Sequence, residues 1–528
     1  MLKTKNEKGI KGNVSLTSSP LAGEEIITPS PLMGEGEGGG ERRKSMTDIV
    51  GKLWGFCHTL RHDGIDYGDY IEQLTYLLFL KMIEEKGAEI PPQYAWSVLR
   101  EKSSVELTDH YAATLRGLGE QPGMLGAIYA GALSRFSNPV NLKRLVNLID
   151  EIEWTGLNID VKAAAYEGLL EKSASEGKKG AGQYFTPRIL IQSIVRCVKP
   201  DPRKKKGFTI HDPAAGTGGF LVCAYEWLIE QTKGGLEREE ARRILTSTYS
   251  GTELVHRPRR LALMNLYLHG IQANIYLGDA IYEPKRVLKD GGYDCVMTNP
   301  PFGTKGANQA PNRDDFTVAT SNKQLNFVQH VISVLKPGGR AAIVVPDNVL
   351  FADQAGDVFK ILTEDCDLHT VLRLPNGTFT PYSPGTKTNV VFFTKGYSTE
   401  NTWIYDARTN VPRITKKDRP LTSHHFTEFE ACYGSDPNGH SKRDSKDSKE
   451  DRWRSFTINE VKERDFKIDS LKWLKDESLD DMDELPEPEE LAADAISELE
   501  SAVQELSSII SMLENNNEVL DPVFKQAK

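Results

Sequence analysis

Tyr293-Asp294-Cys295-Val296-Met297-Thr298-Asn299-Pro300-Pro301-Phe302 is an apolar run closed by an amide, two prolines and an aromatic ring. The run Tyr293–Met297 has the length and character of a buried strand. Two prolines end it at once and restrict the backbone before and within the turn, which holds Asn299 at the strand's carboxyl end. In an open α/β sheet that edge is where ligands bind. The Asn amide offers one acceptor and two donors, and the adjoining backbone carbonyl offers another acceptor. Two acceptors converging on an exocyclic amine would hold its hydrogens and turn its lone pair toward an electrophile. Phe302 adds a flat surface on which a base could stack. Alone, the same residues also fit a strand-end turn with an incidental ring. A second motif upstream tips the reading toward chemistry.

That motif is Asp212-Pro213-Ala214-Ala215-Gly216-Thr217-Gly218-Gly219-Phe220, at the end of another apolar run and before a helix through Trp227. Glycines at a strand-to-helix turn let the backbone approach a ligand closely. The pattern is not GxGxxG, so no pyrophosphate is implied. Glu253 ends the next strand, in Ser250-Gly251-Thr252-Glu253, where an acid can accept both hydroxyls of a ribose. Asp279 ends the one after, in Leu277-Gly278-Asp279, where a carboxylate can accept from an adenine amine. Each acid alone is as well explained as an exposed cap. Three acids in sheet order around a glycine turn, with Asn-Pro-Pro-Phe on the fourth strand, form a specific constellation.

Working outward, strand, turn and helix alternate from Phe208 on, which predicts a doubly wound sheet. The candidate strands are 208–212, 248–253, 273–278, 293–298, 340–345, 368–374 and 388–394. The first five should be parallel, and the last two are close enough for a hairpin that sets an antiparallel strand in the sheet. The expected fold is therefore α/β: a helical N-terminal domain, a mostly parallel seven-stranded sheet and a C-terminal helical tail. By segment, 1–45 reads as a disordered extension and 46–175 as the helical domain. The sheet domain is 176–400, 401–475 an irregular extension, and 476–528 an acidic linker with a docking helix. Met46 reads as the natural start. Leu53, Trp54, Phe56 and Leu60 share one helix face, as do Ile71, Leu74, Leu77, Leu78 and Met82. The tail helix Leu491–Leu513 carries Ile496, Leu499, Val503, Leu506, Ile510 and Leu513 at threes and fours.

At 528 residues, 39% hydrophobic and 27% charged, the chain has room for a large core and ordinary globular composition. No apolar run approaches the ~20 residues needed to span a bilayer, and no signal-peptide core opens the chain, so a cytoplasmic protein without a membrane partner is expected. Six cysteines, none in a CxxC pair, argue against a zinc site or a disulfide framework. The net charge of −10 is concentrated: Asp476–Lys528 holds sixteen acids and two lysines, so the rest of the chain stands at +4. A DNA-contacting body is compatible with that, although so weakly basic a body would bind duplex poorly by itself.

The order of these motifs resembles the S-adenosylmethionine-dependent adenine-N6 DNA methyltransferases of the gamma arrangement. More closely, it resembles the modification subunit of type I restriction-modification systems. The likeness spans most of 47–465. It takes in Trp54-Gly55 and Leu60-Arg61, Gln183-Tyr184-Phe185-Thr186-Pro187, Asp212–Phe220, Asn299–Phe302, and Cys432-Tyr433-Gly434 through Arg454-Ser455-Phe456. It implies S-adenosyl-L-methionine as cofactor, with Gln183–Pro187 and the glycine turn at its methionine end. Glu253 would lie at the ribose and Asp279 at the adenine. It also implies a flipped adenine stacked on Phe302, its amine held by Asn299 and the Pro300 carbonyl. Asn299 would thus face both the reacting amine and the cofactor, and Pro301 completes the turn. In-line transfer of this kind needs no metal.

The sequence contains no GxxxxGK[ST] phosphate loop and no recognisable nuclease cluster. Only 133 residues follow Lys395, too few beside the linker and acidic helix for a sizeable target-recognition domain. The implied partners are duplex DNA, a separate specificity subunit, a second copy of the chain and a restriction/translocase subunit. Rival readings are a protein glutamine-N5 methyltransferase, a cytosine-N4 enzyme, and a non-catalytic scaffold of a restriction complex. Asn-Pro-Pro-Phe with the long helical region favours DNA adenine over all three.

Overall fold

The computed structural model describes residues 51–57, 64–85, 90–152, 166–170, 185–232, 235–282, 291–302, 309–380, 385–443 and 451–474, with a few single residues between and beyond. Segment 1–45, Gln183 and Tyr184 lie outside them. Of the tail stripe only Ile496 and Val503 are described, both helical and exposed.

A nine-stranded sheet runs through the chain in the order β3-β2-β1-β4-β5-β7-β6-β8-β9. The strands are β1 Ile210–Asp212, β2 Tyr249–Glu253, β3 Asn274–Leu277, β4 Tyr293–Thr298 and β5 Leu335–Pro346. Then come β6 Cys366–Arg373, β7 Thr388–Lys395, β8 Asn401–Asp406 and β9 Trp453–Thr457. The first five are mutually parallel, and β7 lies antiparallel between β5 and β6. All seven expected strands are present. Two more correct the count: 401–475, read as irregular, carries β8 parallel to β6 and β9 antiparallel to β8.

The central strands are buried on both faces, as parallel strands covered by helices must be. In β4, Cys295 and Met297 enter one core and Val296 the other. The first core is covered by helices Arg188–Val198, Gly219–Gln231, His256–Leu268 and His424–Tyr433, the second by Lys323–Val334 and Ala355–Asp365.

The helical region is built on Tyr67–Glu85. Every residue from Tyr70 to Leu80 in this helix is buried, the mark of an element enclosed on all sides. Its polar positions are matched: Gln73 donates to the Leu133 carbonyl (2.9 Å) and accepts from the Tyr111 hydroxyl (3.1 Å). Helix His256–Leu268 joins this region to the sheet. Phe79 meets Tyr267 edge-on at 4.9 Å, Arg257 pairs with Asp69, and Arg260 pairs with Glu72 while donating to the Ala130 carbonyl (2.7 Å). The charge run Arg203–Lys206, which reads as a solvated face, is partly tied down: Arg203 grips Asp201 and Lys205 grips Asp294.

Candidate active site

β1 is flanked by β2 and β4, so the strand order reverses between β1 and β4 and opens a crevice at their carboxyl ends. Both sequence motifs emerge there. A short strap joins them: Asp212 Oδ1 accepts from Thr298 Oγ1 at 2.7 Å and from the Ala214 N–H at 3.0 Å. Asp212 is 1% exposed, and burial raises its carboxyl to about 7, against the lowering effect of those two bonds.

The glycine turn sorts the predicted residues by role. Asp212, Pro213, Ala215, Gly218 and Phe220 are buried and form its frame; Gly216, Thr217 and Gly219 are the more accessible positions. Gly216 and Gly218 have φ of 53° and 80°, a region that favours glycine. A Cβ on Gly216 would approach nothing closer than the Ala214 carbonyl at 4.0 Å, so this position borders open space. Gly218 caps helix Gly219–Gln231. Glu253 meets the turn from β2, its two oxygens accepting from the Gly216 and Val255 N–H groups at 2.9 Å each. Burial raises the Glu253 carboxyl and those backbone bonds oppose the rise. The Leu254 N–H also bonds this carboxylate, which keeps acceptor capacity for a hydroxyl donor. Asp279, just beyond β3, accepts from the Ile281 (2.8 Å) and Tyr282 (3.2 Å) N–H groups and is partly exposed.

Just past β4, Asn299 is held from the side: its Nδ2 donates to Thr186 Oγ1 at 2.8 Å. Its Oδ1 is buried with no hydrogen-bond partner among the described residues. Pro300 is buried, Pro301 and Phe302 half-buried. The Phe302 ring meets Phe379 edge-on at 5.1 Å. Thus separate hydrogen bonds join Thr186 to Asn299, Thr298 to Asp212 and Gly216 to Glu253 along one edge. Phe185 and Pro187 flank Thr186, and Asp279 stands one strand further out.

Three supporting residues were not singled out from the sequence. Asn265 donates to the Thr217 carbonyl (3.1 Å) and buttresses the turn; an amide inside Leu261-Ala262-Leu263-Met264-Asn265-Leu266 is the available signal. Gln324, 2% exposed, reaches toward the Pro301 carbonyl at 3.5 Å, and nothing in its sequence neighbourhood marks it. Arg188 is paired with both Glu226 and Glu167 behind Pro187. A cavity of about 320 Å³ lies elsewhere, where Leu133 and Arg135 face His256–Leu268. Its Arg257 and Arg260 are engaged with Asp69 and Glu72, so it marks the seam of two layers.

Residues 157–481 match the family model described as N-6 DNA Methylase, and the chain belongs to that family of methyltransferases. Residues 49–89 match the HsdM N-terminal domain. More particularly, it belongs with the methylase subunits of type I restriction-modification systems. It is 40% identical to the type I restriction enzyme StySPI methylase subunit of Salmonella potsdam, over 88% of this chain and 95% of that one. It is also 40% identical to the EcoKI methylase subunit of Escherichia coli K12, over 89% and 96%. Among solved structures it resembles the EcoKI M protein (35% identity, TM-score 0.50, covering 91% of this chain and 100% of that one). It also resembles a chain from a type I restriction-modification complex (26% identity, TM-score 0.64, covering 89% and 98%).

Proposed function

We propose that the chain transfers a methyl group from S-adenosyl-L-methionine to N6 of adenine in duplex DNA, taking its sequence choice from a separate specificity subunit. The observation that carries this reading is the buried Oδ1 of Asn299, without a hydrogen-bond partner among the described residues, at the switch point of the sheet. An unpaired buried acceptor costs roughly 1–3 kcal/mol, and an exocyclic amine is a group that would satisfy it.

The residues at the crevice fit the cofactor. Gly216 borders open space, Glu253 has lone pairs left for ribose hydroxyls, and Asp279 is accessible for an adenine amine. When bound, the cofactor supplies a methyl group made electrophilic by its sulfonium. Gly216 and Thr217 would line its methionine end together with Gln183–Pro187. The Asn299 Oδ1 and the Pro300 carbonyl would hold the two hydrogens of the target amine, so that the nitrogen lone pair points out of the base plane. Phe302 would stack on the base, which must first leave the duplex at a cost of a few kcal/mol. With no covalent enzyme intermediate required, positioning carries most of the rate.

The partners that accompany this reading are duplex DNA, the specificity subunit, a second copy of the chain and a restriction/translocase subunit, in the cytoplasm. Among the described residues no helix is long and apolar enough to cross a membrane. Exposed Ile496 would be available to a partner helix.

The test is single-molecule sequencing of cellular DNA with the chain expressed alone and with the product of its adjacent gene. N6-methyladenine at one split motif, only with the partner, is the expected result. Methylation by the chain alone would overturn the delegated specificity, and none in either case, with the partner bound, would overturn the reaction.

A further inference from the structure

Asn299 can act on a base only if its amide is held still, and the strand alone does not do this. The terminal amide torsion of Asn is broad, with two orientations of nearly equal shape and opposite hydrogen-bonding polarity. In the structure the side-chain hydrogen bond to this amide comes from outside the strand, where Nδ2 donates to Thr186 Oγ1 at 2.8 Å. With the nitrogen so engaged, Oδ1 is left as a buried acceptor with no partner among the described residues.

Thr186 is itself firmly mounted. Pro187 follows it with φ of −55° and leads into helix Arg188–Val198, accepting at its carbonyl from the Ile191 N–H (3.1 Å). Arg188, the first residue of that helix, is clamped on one side by Glu226, on the helix that follows the glycine turn, and on the other by Glu167. The hydroxyl that steadies Asn299 is therefore referenced to the glycine turn and to the 166–170 helix at once.

We infer that Thr186 is a positioning residue for the transfer step: its hydroxyl fixes the torsion of the Asn299 amide, and with it the aim of Oδ1 at the target amine. This rests on the proposed function and gives Thr186, beside its place at the cofactor's methionine end, a second role that acts through rate. A merely cofactor-lining Thr186 would act through affinity; a positioning one acts through rate at saturation. Valine matches threonine in shape without the hydroxyl, whereas serine keeps the hydroxyl and loses only a methyl.

The experiment uses the methylating complex with Thr186→Val and Thr186→Ser. It reads single-turnover methylation at saturating cofactor and DNA, cofactor affinity by calorimetry, and the melting curve. Thr186→Val is expected to slow transfer about tenfold, the effect of one hydrogen bond lost at the reacting group, with cofactor affinity within about twofold. Thr186→Ser should restore most of the rate. An unchanged rate in Thr186→Val overturns the inference and leaves the function standing. So does a loss that disappears into cofactor affinity, or one that serine fails to rescue. A wild-type complex that makes no N6-methyladenine overturns the proposed function, and the inference with it.

Discussion

Asp212→Asn isolates the cost of burying a carboxylate beneath the site. Both hydrogen bonds to this side chain, from Thr298 Oγ1 and the Ala214 N–H, end on the same oxygen, Oδ1. An asparagine can accept both, so the strap between β1 and β4 survives the substitution. The charge does not. Asp212 rises from 3.8 to about 7 because burial disfavours its ionised form, reinforced by the nearby Glu253 carboxylate. Folded protein therefore holds a proton that unfolded protein releases from about pH 4 upward. Stability from this group is complete below that pH, falls as pH rises through the interval, and is gone above about 7. The full span corresponds to at most ~4 kcal/mol at 1.36 kcal/mol per pKa unit. An amide N–H₂ that finds no partner would return about 1–3 kcal/mol of that. The variant should thus exceed wild type by roughly 1–3 kcal/mol at pH 8.5 and lose that advantage at about pH 4. Urea midpoints of the two proteins across that pH range give the difference directly. Parallel pH curves would refute the reasoning, because the penalty would then lie in another group.

Three further outcomes follow from the same geometry. Asn299→Ala should lower single-turnover transfer at least about a hundredfold while cofactor affinity by calorimetry stays within about twofold; equal loss of both would remove Asn299 from the reacting amine. Glu253→Gln should do the reverse, weakening cofactor binding roughly ten- to a hundredfold as charge-assisted bonds to hydroxyls are lost. An unchanged affinity would separate Glu253 from the ribose. Arg260→Met leaves Glu72, whose side chain is only 10% exposed, with the longer Arg257 contact at 3.5 Å, and should cost up to about 3 kcal/mol by urea unfolding. Replacing both residues with apolar ones should recover most of it, and no recovery would mean that Arg260 acts through the Ala130 carbonyl instead.

The parts of this fold that were legible in the sequence are those where local pattern and global position agree. The strands up to β7 are apolar runs bounded by glycine, proline or acid, and their ends carry the chemistry, so finding the strands nearly located the crevice. β8 and β9 were not legible for a physical reason. Asn401-Thr402-Trp403-Ile404-Tyr405-Asp406 is polar at both ends, Trp453-Arg454-Ser455-Phe456-Thr457 alternates on an edge, and their pairing spans 46 residues of intervening chain. Nor does periodicity reveal that Arg257 and Arg260, in His256-Arg257-Pro258-Arg259-Arg260, are interlayer clamps; the run reads as solvated charge until Asp69 and Glu72 are brought against it. The site shows the same division. Gly216, Glu253 and Asn299 announce themselves by backbone chemistry and strand-end position. Gln324 and Asn265 act through contacts 23 and 48 residues away in sequence, which no local pattern encodes.

The crevice is also where the fold tolerates an arrangement that packing alone would disfavour. Asn299 is steadied from three directions by distant segments: Thr186 at its nitrogen, Asp212 through the neighbouring Thr298, and Gln324 through the turn at Pro301. Each contact restricts the strand end, yet together they leave the amide oxygen buried and, among the described residues, unpaired. An apolar side chain would satisfy the same space without that cost, and a looser turn would let the oxygen reach solvent. Rigid support around an unsatisfied acceptor makes sense when the missing partner is a ligand. The support would then be pre-organisation: the cost is met during folding, and an arriving amine would gain a hydrogen bond without having to order the group that makes it. The same logic explains why the support is drawn from three separate segments, the helix mount behind Thr186, the glycine turn and the helix after β4. Moving any one of them would alter the aim of the oxygen, so the glycine turn, the Thr186 mount and the turn at Pro301 act on one shared atom.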